Sequence, residues 1–452
     1  MKWHRQAIGF VRCLNGRLAP PVPAGAGVHE RRLARPRHNA GLAGGTGGTI
    51  SRPRMPTLFL IVFVDLVGFG LVIPLLPFYA VRFAASPQQV TLLVATYSLL
   101  QLVTAPFLGR LSDRIGRRPV LGFSMAVSAA AYLWLGHADA LWMLFAARAL
   151  AGACAGNIAA AQAYIADVTT PENRAKGMGL IGAAFGLGFI IGPALGGFLA
   201  GDDPATANLA APAWVAAALS LTALCGVFFV LPESRPAGRR ARARSNGRIG
   251  AVLGALRRPV LSRLILIFFL VILAFAGMEA TFALWAMRQF RWGPEEVGYV
   301  FAYVGVLSAV LQGGLIGRLT ARFGEERLLR SGLVLIGGGL VVLAFASGIP
   351  VLGVAVSALA IGMGLTQPSL NSLISRRAGA EEQGEVLGVA QSVGSLSRVL
   401  GPAAAGLLFA QLGRASPFFW GAALVVAAFA AALGLVRSHP RAGLAEPSGG
   451  GK

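Results

Sequence analysis

Residues 60–80 read LIVFVDLVGFGLVIPLLPFYA, an apolar run holding one carboxylate, Asp65, and no base. About twenty apolar residues are what a helix needs to cross the hydrocarbon of a bilayer. Similar runs recur near 57–80, 89–109, 119–137, 140–165, 177–200, 212–231, 262–287, 294–316, 329–347, 350–374, 384–412 and 416–436. The chain of 452 residues is 55% hydrophobic and 13% charged, with a mean hydropathy of +0.67. Soluble domains carry about 25% charged residues, so this composition excludes a water-soluble surface. The expected class is an all-α polytopic membrane protein.

Charge distribution orients the chain. The formal net charge is +22, and all but three of the basic residues (Lys2, Lys176 and Lys452) are arginines. They sit in alternate short loops: Arg110, Arg114, Arg117 and Arg118; Arg174 and Lys176; a cluster over 235–258; Arg318, Arg322 and Arg327; Arg376 and Arg377. The intervening loops hold mainly Asp139, Asp202 and Asp203. Basic loops between spans fix topology with the positive side inward, which places both termini in the cytoplasm. A nucleic-acid binder would gather the same charge on one domain face, so no nucleic-acid partner is expected. Cys13, Cys154 and Cys225 are scattered, and no histidine has ligand spacing to another. No metal or cofactor is expected, and no nucleophile–base set marks an enzyme.

Residues 1–54 are rich in Arg, Pro and Gly without a periodic apolar face, and are expected to be a disordered basic extension. They read either as a leader or as sequence ahead of a start at Met55. Two six-helix bundles are expected at 55–231 and 262–437, joined by a cytoplasmic linker over 232–261 and followed by a disordered tail over 438–452. The halves repeat each other. GRLSDRIGRRPVL (109–121) returns, degraded, as GRLTARFGEERLL (317–329), and LGFIIGPALGG (187–197) returns as LSRVLGPAAAG (396–406), at offsets of 208 and 209 residues. Duplication of this kind builds transporters that rock around a central site.

Three motifs identify a relationship. One is Gly109-x-x-x-Asp113-Arg114-x-Gly116-Arg117-Arg118 between the second and third spans. The next is Arg148-x-x-x-Gly152-x-x-x-Gly156 in the fourth. The last, in the fifth, is Gly179, Gly188, then Gly192-Pro193-x-x-Gly196-Gly197. From about 57 to 436 the chain resembles the major facilitator superfamily, and within it drug:proton antiporters of the tetracycline-resistance, multidrug-efflux type. The resemblance implies twelve transmembrane helices in two pseudo-symmetric six-helix bundles, with the first, fourth, seventh and eleventh helices around a central cavity.

Each motif also has a physical reading. The loop of the first motif is short and highly charged. Glycines at its ends suit close packing, and Asp113 can pair with Arg117 near a helix N-terminus. The resemblance adds Asp167 as a third member of a conformational latch, the alternative being charges that only set topology. In the fifth span small residues let a neighbouring helix approach, and Pro193 permits a bend. This reads as a pivot and a leak-proof seam.

Charges within spans are costly and usually functional. Asp65 lies about nine residues, roughly 13 Å, inside the membrane from the cytoplasmic face, and Arg148 roughly 18 Å, in a core of about 30 Å. Arg148 is therefore expected to neutralise Asp65. Glu279 and Arg398 form a comparable pair in the seventh and eleventh spans. A carboxylate alone in a dry site keeps its proton and one beside a guanidinium releases it, so Asp65 is expected to carry the proton and Arg148 to tune it. A static ion pair that fixes helix packing is the alternative for both pairs.

Polar groups within spans, Gln101, Asn157, Gln162, Gln312, Gln367 and Asn371, together with aromatics such as Phe69, Phe185, Trp285 and Tyr303, are candidates for an amphipathic pocket. Tetracycline pumps proper carry further acids in the third and ninth helices. The corresponding stretches here, 120–136 and 333–348, have none, which argues for a broader or different lipophilic cargo. The expectation is a monomeric proton-coupled exporter of small amphipathic compounds, in a bacterial inner membrane. The alternatives are a proton-coupled importer of a sugar or organic acid on the same fold, and a transport-dead scaffold.

Overall fold

The computed structural model describes residues 55–203, 206–234, 254, 257–378 and 382–436. All belong to one compact unit, Ser51–Lys452. The expected N-terminal extension, most of the linker and the C-terminal tail lie outside the described residues.

Among the described residues twelve helices are long and apolar enough to cross a membrane: α1 Met55–Arg82, α2 Pro87–Ile115, α3 Arg117–Gly136, α4 Leu141–Val168, α5 Pro171–Ala200, α6 Ala210–Phe229, α7 Pro259–Phe290, α8 Pro294–Phe323, α9 Glu325–Ala344, α10 Ile349–Arg377, α11 Gln383–Leu412 and α12 Ser416–Val436. Several starts follow local chemistry. Ser86 and Gln89 form a reciprocal capping box ahead of α2, satisfying N–H groups that the helix leaves free. Proline opens α2, α5, α7 and α8, where its missing N–H costs nothing.

The repeat seen in the sequence is a repeat of packing. In the first half α1 lies on α5 and α6, and α3 on α6; in the second, α7 lies on α11 and α12, and α9 on α12. The halves meet along two seams, α2 with α11 and α5 with α8. Both close at the end remote from the arginine-rich loops. A Cβ on Gly197 would stand 2.8 Å from the Pro294 carbonyl oxygen, and one on Gly305 would stand 3.0 Å from that of Phe189. At Gly406 it would stand 3.2 Å from Gln88 Cα. Towards the arginine-rich loops the same helices lose this contact: nothing lies within 4 Å of a Cβ at Gly179, Gly182, Gly313, Gly317, Gly384 or Gly388. The halves are joined at one end and stand apart at the other.

Three spans are irregular. α1 tightens to a 3₁₀ turn at Ile73–Leu75, next to Pro74 and Pro77. α8 widens to a π turn at Leu311–Leu315. α4 is broken, running as Leu141–Ala153 and then Asn157–Val168.

Candidate functional site

Asp65 sits in the middle of α1, 5% exposed. Its partner is the Asn157 side-chain amide, which donates to Oδ2. Asn157 opens the second piece of α4, and the Ile158 N–H donates to Asn157 Oδ1 at 2.9 Å. With its oxygen so engaged, the amide can turn only its nitrogen towards the acid. The break that frees Asn157 coincides with two glycines under pressure. A Cβ at Gly152 would meet the Tyr97 backbone, 2.8 Å from its Cα, and one at Gly156 would stand 3.0 Å from Leu108. Asn157, a candidate for the substrate pocket, donates to the acid.

The expected Asp65–Arg148 ion pair is not formed. Arg148 is 4% exposed and its guanidinium lies over the Tyr97 ring, with Cζ 4.5 Å from the centroid. Among the described residues its Nε has no hydrogen-bond partner. The cation lies instead on an aromatic face of α2. Tyr132 of α3 lies within electrostatic reach of Asp65, Tyr97 and Arg148.

Glu279 and Arg398 are likewise not in ion-pair contact among the described residues, although each lies within reach of the other's charge. Arg398 also acts on Tyr97. That tyrosine therefore lies against Arg148 and within electrostatic reach of an arginine of the other half, and nothing in the sequence motifs marks it.

At the arginine-rich end the structure brings Asp113, Arg117 and Asp167 together. Arg117 binds Asp113 at 2.8 Å and Asp167 at 3.1 Å, and donates to Ser112 Oγ at 3.1 Å. Glu233, not singled out in the sequence, accepts the backbone N–H groups of Arg117 and Arg118 at 3.0 and 3.1 Å, capping the free N-terminus of α3. Gly116 has φ +105°, a region that favours glycine, and a Cβ there would run into the Glu233 carboxylate. Arg118 is anchored on α6, donating to the Val227 carbonyl at 3.0 Å and to that of Phe228. Gly109 has open space beside it, so close packing does not account for it. Arg114 is exposed.

The second half holds a counterpart with its charges reversed. Glu325 stands 208 residues after Arg117 and Arg376 stands 209 after Asp167; Arg376 meets Glu325 at 3.3 Å. Ser372 also donates to Glu325, at 2.9 Å. What looked degraded is an ion pair of opposite polarity.

On α5, Gly188, Gly192 and Gly196 face α1, where Cβ atoms would stand 2.9 Å from Leu66 Cβ, 2.7 Å from Gly70 Cα and 3.1 Å from Leu71 Cα. Gly197 faces α8 at Pro294, and Pro193 meets α8 at Gly298. Gly179 touches neither helix. Of the polar candidates, Gln162 and Gln312 are exposed and Gln101, Gln367 and Asn371 half-buried; Asn371 Oδ1 is buried, with no partner among the described residues. Trp285 is fully buried among Phe282, Phe290 and Phe418, a core residue rather than a pocket wall. Tyr303 is exposed and bonded to Ser357 at 2.8 Å.

Residues 58–402 match the sequence model of the Major Facilitator Superfamily. The tetracycline resistance protein of class E from Escherichia coli is 34% identical over 366 residues, which cover 80% of this chain and 88% of that protein. Multidrug resistance protein 2 of Bacillus subtilis (strain 168) is 31% identical over 365 residues, 78% of this chain and 89% of its own. Among solved structures, the human organic anion transporter MFSD10 superposes with a TM-score of 0.65 at 26% identity, covering 84% of this chain and 98% of that one.

Proposed function

The chain belongs to the Major Facilitator Superfamily, and on that premise we propose how its buried charges run the exchange. It is a proton-coupled secondary transporter that exports small drug-like compounds by alternating access. The observation that carries the mechanism is Asp65 in mid-span with an amide as its hydrogen-bond partner. An amide leaves the charge of a carboxylate uncompensated, so either a proton or a polar, cationic part of the cargo can meet it. Competition for one group makes the two occupancies exclusive, and exclusive occupancy is what couples an antiporter.

The arginine-rich loops support a cytoplasmic placement of that end and of both termini, in a bacterial plasma membrane. The arrangement described is then open to the cytoplasm. Cargo enters between the halves and meets the deprotonated acid. After the halves rock, a proton from outside takes its place. Glu279 and Arg398 serve as a second charge pair in the other half, and the Arg117 cluster holds one conformation against the other.

The test uses inside-out vesicles and a panel of fluorescent amphipathic drugs. Asp65→Asn abolishes accumulation driven by a pH gradient, and binding of the same compounds to purified protein weakens and loses its dependence on pH. Undiminished gradient-driven accumulation in Asp65→Asn overturns the assignment.

A further inference from the structure

We propose that Tyr97 is a positioning residue: its ring holds the Arg148 guanidinium away from Asp65 and so keeps the carboxylate free to exchange protons. The inference rests on Asp65 being the proton carrier and names a residue that sets its working range.

A buried guanidinium without a counter-ion is unfavourable, and a carboxylate on a helix in contact with α4 is its natural partner. Yet Arg148 forms no ion pair or hydrogen bond among the described residues, and its Nε is unpartnered. What it has is the face of Tyr97, at a distance where an aromatic quadrupole attracts a cation. The ring is held in place from two sides. Gly152, one turn beyond Arg148 on α4, lets the backbone of Tyr97 press directly against that helix. Phe69, one turn beyond Asp65 on α1, lies 5.4 Å from the Tyr97 ring and is itself backed by Phe189 of α5. Tyr97 thus fills the space between the helix that bears the acid and the helix that bears the base. No hydrogen bond from its hydroxyl is found among the described residues, so the ring is the working part.

Few other charges bear on the pair. Tyr132 from α3, Arg398 from α11 and, acting on Arg398, Glu279 from α7 complete the set. The faces of α5 and α6 packed against α1, residues 184–197 and 210–229, bring no ionisable side chain except Cys225.

Removing the ring frees Arg148 to close on Asp65. An adjacent cation favours the carboxylate form, so proton uptake then requires a more acidic medium. In proteoliposomes, Tyr97→Leu is expected to move the half-maximal pH of gradient-driven transport acidward by about one unit or more. Tyr97→Phe, which keeps the ring, holds the wild-type midpoint. In an Arg148→Gln background, Tyr97→Leu produces no further movement, because no guanidinium remains to swing; should Tyr97→Leu fail to fold, Tyr97→Met takes its place in both backgrounds. A wild-type midpoint in the aliphatic variant overturns the proposal, as do equal shifts for Leu and Phe. Asp65→Asn, run alongside, separates the two ideas. If that variant is inactive while the Leu variant is unshifted, only the role of Tyr97 falls; if it transports normally, the carrier assignment falls with it.

Discussion

Asn157, at the start of the second piece of α4, holds the carboxylate of Asp65 on α1 through its side-chain amide. The base four residues before Gly152, Arg148, shares the helix but not the acid. This division of labour within one span shapes what substitution does.

Asn157→Ala removes the donor from a buried carboxylate. A lost hydrogen bond to the charged form favours the neutral form, so Asp65 holds its proton to higher pH. The half-maximal pH of exchange is expected to move alkaline by roughly one unit, opposite to the effect of removing the Tyr97 ring. Thermal unfolding in detergent should show a cost of about 1–3 kcal/mol. An unmoved pH profile with a normal melting curve contradicts the geometry.

The reversed ion pair in the second half permits a charge exchange. Glu325→Arg places like charges together with Arg376, and Arg376→Glu does the same with Glu325. The Arg376 side chain is 71% exposed, so Arg376→Glu costs only about 1 kcal/mol; that of Glu325 is 12% exposed and also bonded to Ser372, so Glu325→Arg costs more. The double exchange recreates the polarity of the first half and is expected to recover most of the lost transport. Failure of the double variant to exceed either single one shows that the pair is not the unit.

Glycines on α5 should differ by position rather than by residue type. Gly197→Val drives side-chain atoms into Pro294 and Glu295 of α8, at an overpacking cost of about 1–3 kcal/mol. The form joined at that end is the one penalised, so the population shifts towards the alternative. Alkylation of a cysteine introduced at Gly388, in the open space of α11, should slow as that end closes. Gly179→Val meets nothing and should leave alkylation unchanged. Equal responses at both positions contradict the seam.

Much of this architecture was legible before folding. All twelve spans lie where hydropathy puts them, because a bilayer forces every backbone group into a helix of fixed minimum length. Asp113, Arg117 and Asp167 meet as their motif implied. The partner of Asp65 was not legible, since helical depth fixes height but not the direction in which a long arginine turns. Tyr97 belongs to no charged pattern, and Glu233 acquires meaning only once the start of α3 folds against it. The second-half pair is invisible in either loop alone. Arg117 becoming Glu325 looks like decay until Asp167 is seen to have become Arg376 at nearly the same offset.

The gap at Cys154–Gly156 has a mechanical consequence. Arg148 and Asn157 ride on separate rods joined by a short elbow. A pivot of the second rod about that elbow would draw the amide off Asp65 while leaving the guanidinium on its ring, and so would gear motion of the scaffold to the acidity of its charge carrier.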